Sequence, residues 1–208
     1  MNRFAGSAMA MLVVAVASVL AGCQPSSPPT PAPTSPPPFP TPVPTPTYLC
    51  TPEAGGEETP CSQFQYEEMK AKDALYAEAE AVYREFFAEN IRISRTGGVT
   101  EPTAIMLATT SGAYLEDAIE LFRGQHDRGT RAKGPDPTIG KIARLVGQSK
   151  GGSVVALKIC VDATQWAFYK QDQRITDGIR AVDETYFAPV DGTLKIIGAD
   201  GSEVDSCE

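Results

Sequence analysis

The sequence has few of the residues from which common active sites and cofactor sites are built. It contains a single histidine, His126, and no pair of cysteines separated by two residues. Zinc sites need paired Cys or His ligands at short spacing, so we expect no metal site. A phosphate-binding P-loop and a glycine-rich dinucleotide-binding turn are also absent, and we therefore expect no cofactor.

Long blocks of positive charge are absent as well. The whole chain has a net charge of −8, and removal of residues 1–22, whose only charged side chain is Arg3, makes it −9. Nucleic acid and anionic lipid surfaces repel such an acidic chain. We expect no nucleic acid partner, and we expect any contact with a membrane to depend on an anchor.

Residues 1–22 have the pattern of a lipoprotein signal peptide. Arg3 is followed by an almost wholly small or apolar run, which ends in Leu-Ala-Gly-Cys at 20–23. This box predicts cleavage before Cys23 and acylation of that residue, with fatty acids such as palmitate. A membrane-spanning helix is the alternative, but the run is rich in Ala and Gly and has no basic flank after it. We expect an extracytoplasmic protein that is lipid-anchored to the cell membrane.

The lipidated Cys23 opens a linker, residues 23–47, that consists almost entirely of Pro, Ser and Thr. Twelve of the chain's 18 prolines lie in it. Such a segment favours extended polyproline II and cannot bury a core. At about 3.1 Å per residue it would reach on the order of 70 Å, which suits a semi-rigid spacer.

Four further cysteines remain, an even number that favours disulfides in an exported chain. They allow three pairings. Cys50 and Cys61 bracket a short loop, placed at residues 48–64, and we expect them to bond to each other. Cys160 is predicted to lie in a strand and Cys207 in the last strand, so that a bond between them would fasten the C-terminus.

Residues 65–208 are long enough for one domain with a core. Apolar residues at three- and four-residue steps predict a long helix from about 65 to 93, with two short helices after Pro102 and Ser111. Residues 124–137 are expected to be a loop, and 171–178 and 200–201 to be turns. From Thr138 an alternating pattern predicts strands at 139–146, 153–162, 165–169, 179–190, 193–198 and 203–207. Helices followed by strands indicate an α+β fold, with the helices packed on one strongly curved antiparallel sheet.

This order resembles the nuclear transport factor 2-like cone fold, which ketosteroid isomerase and scytalone dehydratase share. The chain is similar, more narrowly, to actinobacterial cell-envelope lipoproteins of unknown function that carry such a domain. The segments that carry the resemblance are 20–23, 111–122, 155–162 and 205–207. The resemblance implies a cavity between the long helix and the sheet.

If that cavity held an enzyme site like that of ketosteroid isomerase, a tyrosine donor and an aspartate base would be needed. The donor candidates are Tyr76 and Tyr83, and the base candidates are Asp117, Asp162 and Asp183. Structural roles explain the same residues: the tyrosines lie on the apolar stripe of the helix, and Asp162 ends a strand. His126 is expected to lie on the surface.

Three functions follow from this pattern. The first is a non-catalytic envelope protein that binds a small hydrophobic ligand or another envelope protein. The second is a small lyase or isomerase that uses a Tyr/Asp pair, and the third is a purely structural or assembly subunit. A homodimer is compatible with each, and no sequence feature decides it.

The anchor gives the first testable prediction. Cys23→Ala should release the protein into the medium or leave an unprocessed precursor, because the acyl chains have no other attachment point. Detergent-phase partitioning of the variant and the unaltered chain measures this. Equal partitioning of the two into the detergent phase would contradict the lipoprotein interpretation.

Overall fold

The computed structural model describes residues 47–207. The predicted signal peptide (1–22), the acylation site Cys23 and nearly all of the linker lie outside the described residues. Between residues 47 and 207, no helix combines the length and the apolar character needed to cross a lipid bilayer. This part of the chain is α+β, with three helices and several antiparallel sheets.

The long helix α1, Gln63–Thr96, begins and ends where its sequence provides caps. The Ser62 hydroxyl accepts from the backbone N–H of Gln65, and the Gln65 side chain accepts from the Ser62 N–H, which is a capping box. Gly97 ends the helix with a left-handed φ of 98°. The helix therefore begins two residues before its predicted start and ends three residues after its predicted end.

Two shorter helices follow. Helix α2, Ala104–Thr109, is capped by Thr103, so that Pro102 lies just outside it rather than at its first position. Helix α3, Gly112–Arg128, extends five residues into the segment that is predicted to be a loop from 124 onward, and Gly129 caps its end. His126 consequently lies in the last turn of a helix.

Nine strands form three separate antiparallel sheets in the described part of the chain. The first has two strands, β1 (Tyr48–Cys50) and β2 (Thr59–Cys61). The second has the order β3-β6-β7, with β3 at Thr130–Lys133, β6 at Ala167–Lys170 and β7 at Gln173–Asp177. The third has the order β4-β5-β8-β9, with β4 at Thr138–Arg144, β5 at Val155–Asp162, β8 at Arg180–Val190 and β9 at Thr193–Glu203.

The prediction of a single sheet is therefore wrong. The segments 124–137 and 171–178 contain β3 and β7, which are short and lack a continuous apolar face; every residue of β7 is exposed. The predicted turn at Asp200-Gly201 is also wrong, because β8 and β9 stay paired as far as Ala181 and Glu203. Cys207 accordingly lies beyond the last strand rather than within it.

The core lies between α1 and the inner face of the four-stranded sheet. Val155, Leu157 and Ile159 alternate along β5 and are at most 2% exposed. They pack against the apolar stripe of α1 and against buried side chains of α2, α3, β8 and β9; the fully or nearly buried members include Tyr83, Phe86, Ile93, Met106, Phe122, Phe187, Leu194 and Ile196. Because α1 contributes many of the buried side chains, the packing of the core fixes the position of α1 and of the residues on its flanks.

Two disulfides hold segments that the core does not reach. Cys50 bonds to Cys61 and so ties β1 to β2, and Cys160 on β5 bonds to Cys207 after β9. The second bond secures the C-terminal segment to the outer face of the four-stranded sheet, where Gly140 leaves room for the Cys207 side chain.

The two disulfides should stabilise the domain unequally. Loops of 47 and 11 residues give about 4 and 3 kcal/mol on the chain-entropy model. We expect Cys160→Ala/Cys207→Ala to lower the melting temperature more than Cys50→Ala/Cys61→Ala, as circular dichroism would measure. A larger loss from removal of the Cys50–Cys61 bond would contradict this order.

Candidate functional site

Two of the five residues proposed for catalysis lie in contact. Tyr83 on α1 is 4% exposed, and its hydroxyl donates to Oδ2 of Asp183 on β8 at 3.3 Å. Asp183 lies opposite the buried Ile159 of β5, so its carboxylate lies on the inner face of the sheet. Burial raises the pKa of Asp183, although the hydrogen bond from Tyr83 opposes this shift.

The surroundings of this pair are buried and partly polar. Burial, followed by the charge of Asp183, raises the pKa of both Tyr83 and Tyr114, and both therefore stay neutral hydroxyl groups at physiological pH. Thr185, the next residue on the same face of β8, is fully buried, and its hydroxyl has no hydrogen-bond partner within residues 47–207. None of the clefts described below has Tyr83 or Asp183 in its lining.

Asp162 and Asp117 have no partner that suggests chemistry. Asp162 accepts from the hydroxyl and the N–H of Thr164, at 2.6 and 3.0 Å, and forms an ion pair with Arg180. The Thr164 hydroxyl, its N–H and Arg180 together lower the pKa of Asp162 to about 2. Asp117 is exposed on α3. Asp162 therefore closes a turn, and Asp117 lies on the solvent side.

Two further features of the sequence are structural. His126 is exposed, with Nδ1 3.3 Å from Oδ1 of Asp127. A G-x-S-x-G spacing also occurs, at 147–151, but it lies in the turn between β4 and β5, whereas a nucleophile elbow joins a strand to a helix. The Ser149 hydroxyl donates to the carbonyl of Ser153, which stabilises that turn.

A broad, open groove lies elsewhere on the described surface, between α1, β4 and the loop that follows β1. Three adjoining clefts of about 460, 450 and 220 Å³ make up this groove, and all three have Asp73 of α1 in their lining. The loop contributes residues 51–55, and β4 contributes Ala143 and Arg144. Volumes of this size suit a small ligand.

Arg144 is fixed in the wall of the groove by two contacts. Its Nη1 donates to Oδ1 of Asp73 at 2.6 Å, and its guanidinium carbon lies 4.6 Å from the centre of the Tyr76 ring. A carboxylate and an aromatic face together hold the guanidinium plane in one orientation.

The loop is held over α1 by a second set of contacts. The Tyr76 hydroxyl donates to Oε1 of Glu53 at 2.6 Å, and the ammonium of Lys72 lies 3.8 Å from the same oxygen. The backbone N–H of Thr51 donates to the sulfur of Met69 on α1. Burial, and then the hydrogen bond to Glu53, raises the pKa of Tyr76, so this hydroxyl stays neutral. Tyr76 therefore joins the loop to the groove instead of serving as a donor in the interior.

Two further clefts lie away from the groove. One, of about 280 Å³, lies on the outer face of the sheet beside the Cys160–Cys207 bond, with Lys141 and Lys158 in its lining. The other, of about 140 Å³, lies beside Trp166. Nowhere in residues 47–207 do three His, Cys, Asp or Glu side chains come close enough to hold a metal ion.

Comparison of the chain with protein-family models gives no match, and comparison with curated proteins gives none. The function must therefore be inferred from the groove and the interior pair. Sequence reasoning missed Glu53, Asp73 and Arg144, because they come from a loop, a helix and a strand that no local pattern relates.

Asp183 and Asp162 should respond to pH in opposite ways, because the pKa of Asp183 is raised and that of Asp162 is lowered. Because the pKa of Asp183 is raised, its contribution to stability is full below the ordinary Asp pKa of about 3.9 and is lost as the pH rises through the raised pKa. Asp183→Asn keeps an acceptor for Tyr83 and removes the buried charge. The variant should therefore be more stable than the unaltered protein at neutral pH, with the difference vanishing below about pH 4.

Asp162→Asn provides the matched control. The lowered pKa of Asp162 contributes stability above about pH 4, which is lost as the pH falls towards about 2. This variant should be less stable at neutral pH, and the difference should shrink in acid. Urea unfolding of both variants across this range tests the assignment; destabilisation by Asp183→Asn at neutral pH would contradict it.

Proposed function

We propose that the protein is a non-catalytic binding module of the cell envelope, lipid-anchored through Cys23 on the extracytoplasmic face of the membrane. The signal pattern at 1–22 and the two disulfides in the described domain support an oxidising location. The Pro-rich linker would then hold the domain away from the bilayer. Under this proposal the domain presents a binding surface to molecules of the envelope.

The observation that supports a binding role is the groove under the disulfide-closed loop. It offers clefts large enough for a small ligand, and it combines fixed charges with an aromatic ring. Because Glu53, Asp73 and Arg144 all line it, we propose a polar ligand instead of the small hydrophobic ligand expected from the sequence.

We also propose that the domain is a variant of the nuclear transport factor 2-like cone. Helices that precede the strands, and a long helix laid across an antiparallel sheet of order β4-β5-β8-β9, support this proposal. The separate sheet β3-β6-β7 would then be a detached part of the wall of the cone.

The contact between Tyr83 and Asp183 favours a second candidate function. A lyase or isomerase of the cone type would place a neutral hydroxyl donor beside a carboxylate, as these residues lie at 3.3 Å. Catalysis there would require the packing around Tyr83 to open, since Tyr83 is buried and Asp183 is half-buried. The binding role needs no such opening, and we therefore prefer it.

Native mass spectrometry of the detergent-solubilised lipoprotein, isolated from the membranes of its own host, tests the binding role. We expect a stoichiometric non-covalent adduct that Tyr83→Phe retains and Cys50→Ala/Cys61→Ala loses, because only the latter frees the loop over the groove. An adduct lost in Tyr83→Phe and kept without the disulfide would favour the interior site. The complete absence of an adduct would contradict ligand binding and leave an assembly role.

A further inference from the structure

We propose that the groove binds a zwitterionic ligand of the amino-acid or short-peptide class, with Arg144 on the ligand carboxylate and Glu53 and Asp73 on its ammonium group. This inference rests on the proposed binding role and names the ligand class for it. The charged residues of the loop, α1 and β4 are the features that carry it.

Arg144 has donors to spare. A guanidinium has five N–H groups. The only hydrogen bond that the Arg144 guanidinium donates within residues 47–207 runs from Nη1 to Asp73. Its side chain is 36% exposed, so Nε and Nη2 are within reach of a ligand. Because Asp73 and the Tyr76 ring already fix the guanidinium plane, little side-chain entropy is lost when a carboxylate binds to the remaining edge.

The two carboxylates each have one oxygen that is not used. Oε1 of Glu53 accepts from Tyr76, and Oδ1 of Asp73 accepts from Arg144, whereas Oε2 and Oδ2 accept no hydrogen bond from any residue between 47 and 207. The two side chains are 34% and 44% exposed. They line the same cleft as Arg144, so that acceptors for an ammonium group lie in one groove with donors for a carboxylate.

The charge balance of the groove argues against a ligand with a single charge. Arg144 and Lys72 are matched by Glu53 and Asp73. Of the other acids in the lining, Glu80 is paired with Arg84, and Glu68 lies in the cleft that extends along α1 away from Arg144. A simple anion would be attracted by Arg144 and repelled by the two carboxylates. A zwitterion places its negative group on the arginine and its positive group on the carboxylates.

The remaining walls set the size of the ligand. Around Arg144 the lining is made by short or flat apolar groups, among them Pro52, Ala54, Ile142 and Ala143. The two clefts that have Arg144 in their lining measure about 450 and 220 Å³. Such a space fits one or two small residues rather than a folded partner.

The cluster is not needed to hold the domain together. Half-exposed ion pairs of this kind contribute little to stability, typically about 0–1 kcal/mol. The stacking of Arg144 on Tyr76 is therefore better explained by the arrangement of a binding surface than by the folding of the domain.

Isothermal titration calorimetry with the full-length mature chain in detergent micelles tests the inference. The probes are alanyl-alanine, its C-terminal amide and its N-acetyl derivative, which lack the carboxylate and the ammonium charge respectively. We expect the free dipeptide to bind and each blocked form to bind at least about tenfold more weakly, since each loses a charge-assisted contact. This comparison requires no variant.

Arg144→Lys keeps the positive charge but removes the planar guanidinium. We expect this variant to bind alanyl-alanine about tenfold more weakly, with an unchanged melting temperature. Arg123→Lys is the matched control, because Arg123 lies on α3 and donates to the Thr100 carbonyl away from the groove. It should bind as the unaltered protein does.

Three results would overturn the inference. They are equal affinity for the three probes, unchanged affinity in Arg144→Lys, and no binding of any probe. The first two would leave the binding role in place with a different contact set. The third would exclude the ligand class while the adduct measurement decides the binding role separately.

Discussion

The packing of α1 on the inner face of the four-stranded sheet is the constraint on which the rest of the structure depends. A helix in a protein, even one this long, gains most of its stability from the apolar face that it buries. In this domain that face is aromatic: Tyr83 and Phe86 belong to the same buried cluster as Phe187 of β8. One helix therefore supplies the core, the interior Tyr83–Asp183 contact and, on its flank, Asp73 and Tyr76 of the groove.

The disulfides hold the two segments that the core does not reach, the loop after β1 and the C-terminal segment. The loop that follows β1 buries little apolar surface, and its hold on α1 comes from the Glu53–Tyr76 hydrogen bond and a contact to Met69. Without the Cys50–Cys61 bond, such a loop would exchange these contacts for water. The bond thus turns a polar loop into a fixed wall of the groove. On the chain-entropy model, the entropy that it removes is that of the unfolded chain.

The sequence predicted the elements that have strong periodicity. α1 and β5 follow from apolar spacing, and the turn between β8 and β9 is Asp191-Gly192, with both residues at positive φ, which is typical of hairpin turns. β3 and β7 could not be predicted, since they are short: β3 has four residues, of which only Thr130 and Ala132 are buried, and every residue of β7 is exposed. The division into three sheets depends on pairings between distant segments, about which local patterns carry no information.

The two candidate sites differ in the same way, since one follows from local sequence patterns and the other does not. Tyr83 and Asp183 could be named from the sequence because a helical stripe and an alternating strand both point inward, whereas Glu53, Asp73 and Arg144 are brought together only by the tertiary fold.

This difference also bears on function. A polar pair that forms through core packing is buried with the core, and ligand binding there must break part of that packing. Polar groups brought together at the surface keep part of their exposure, so that binding exchanges water for ligand and leaves the core intact. On this ground the groove is the better site for a module that must bind without unfolding, and the interior pair is better understood as a buried polar contact between α1 and β8.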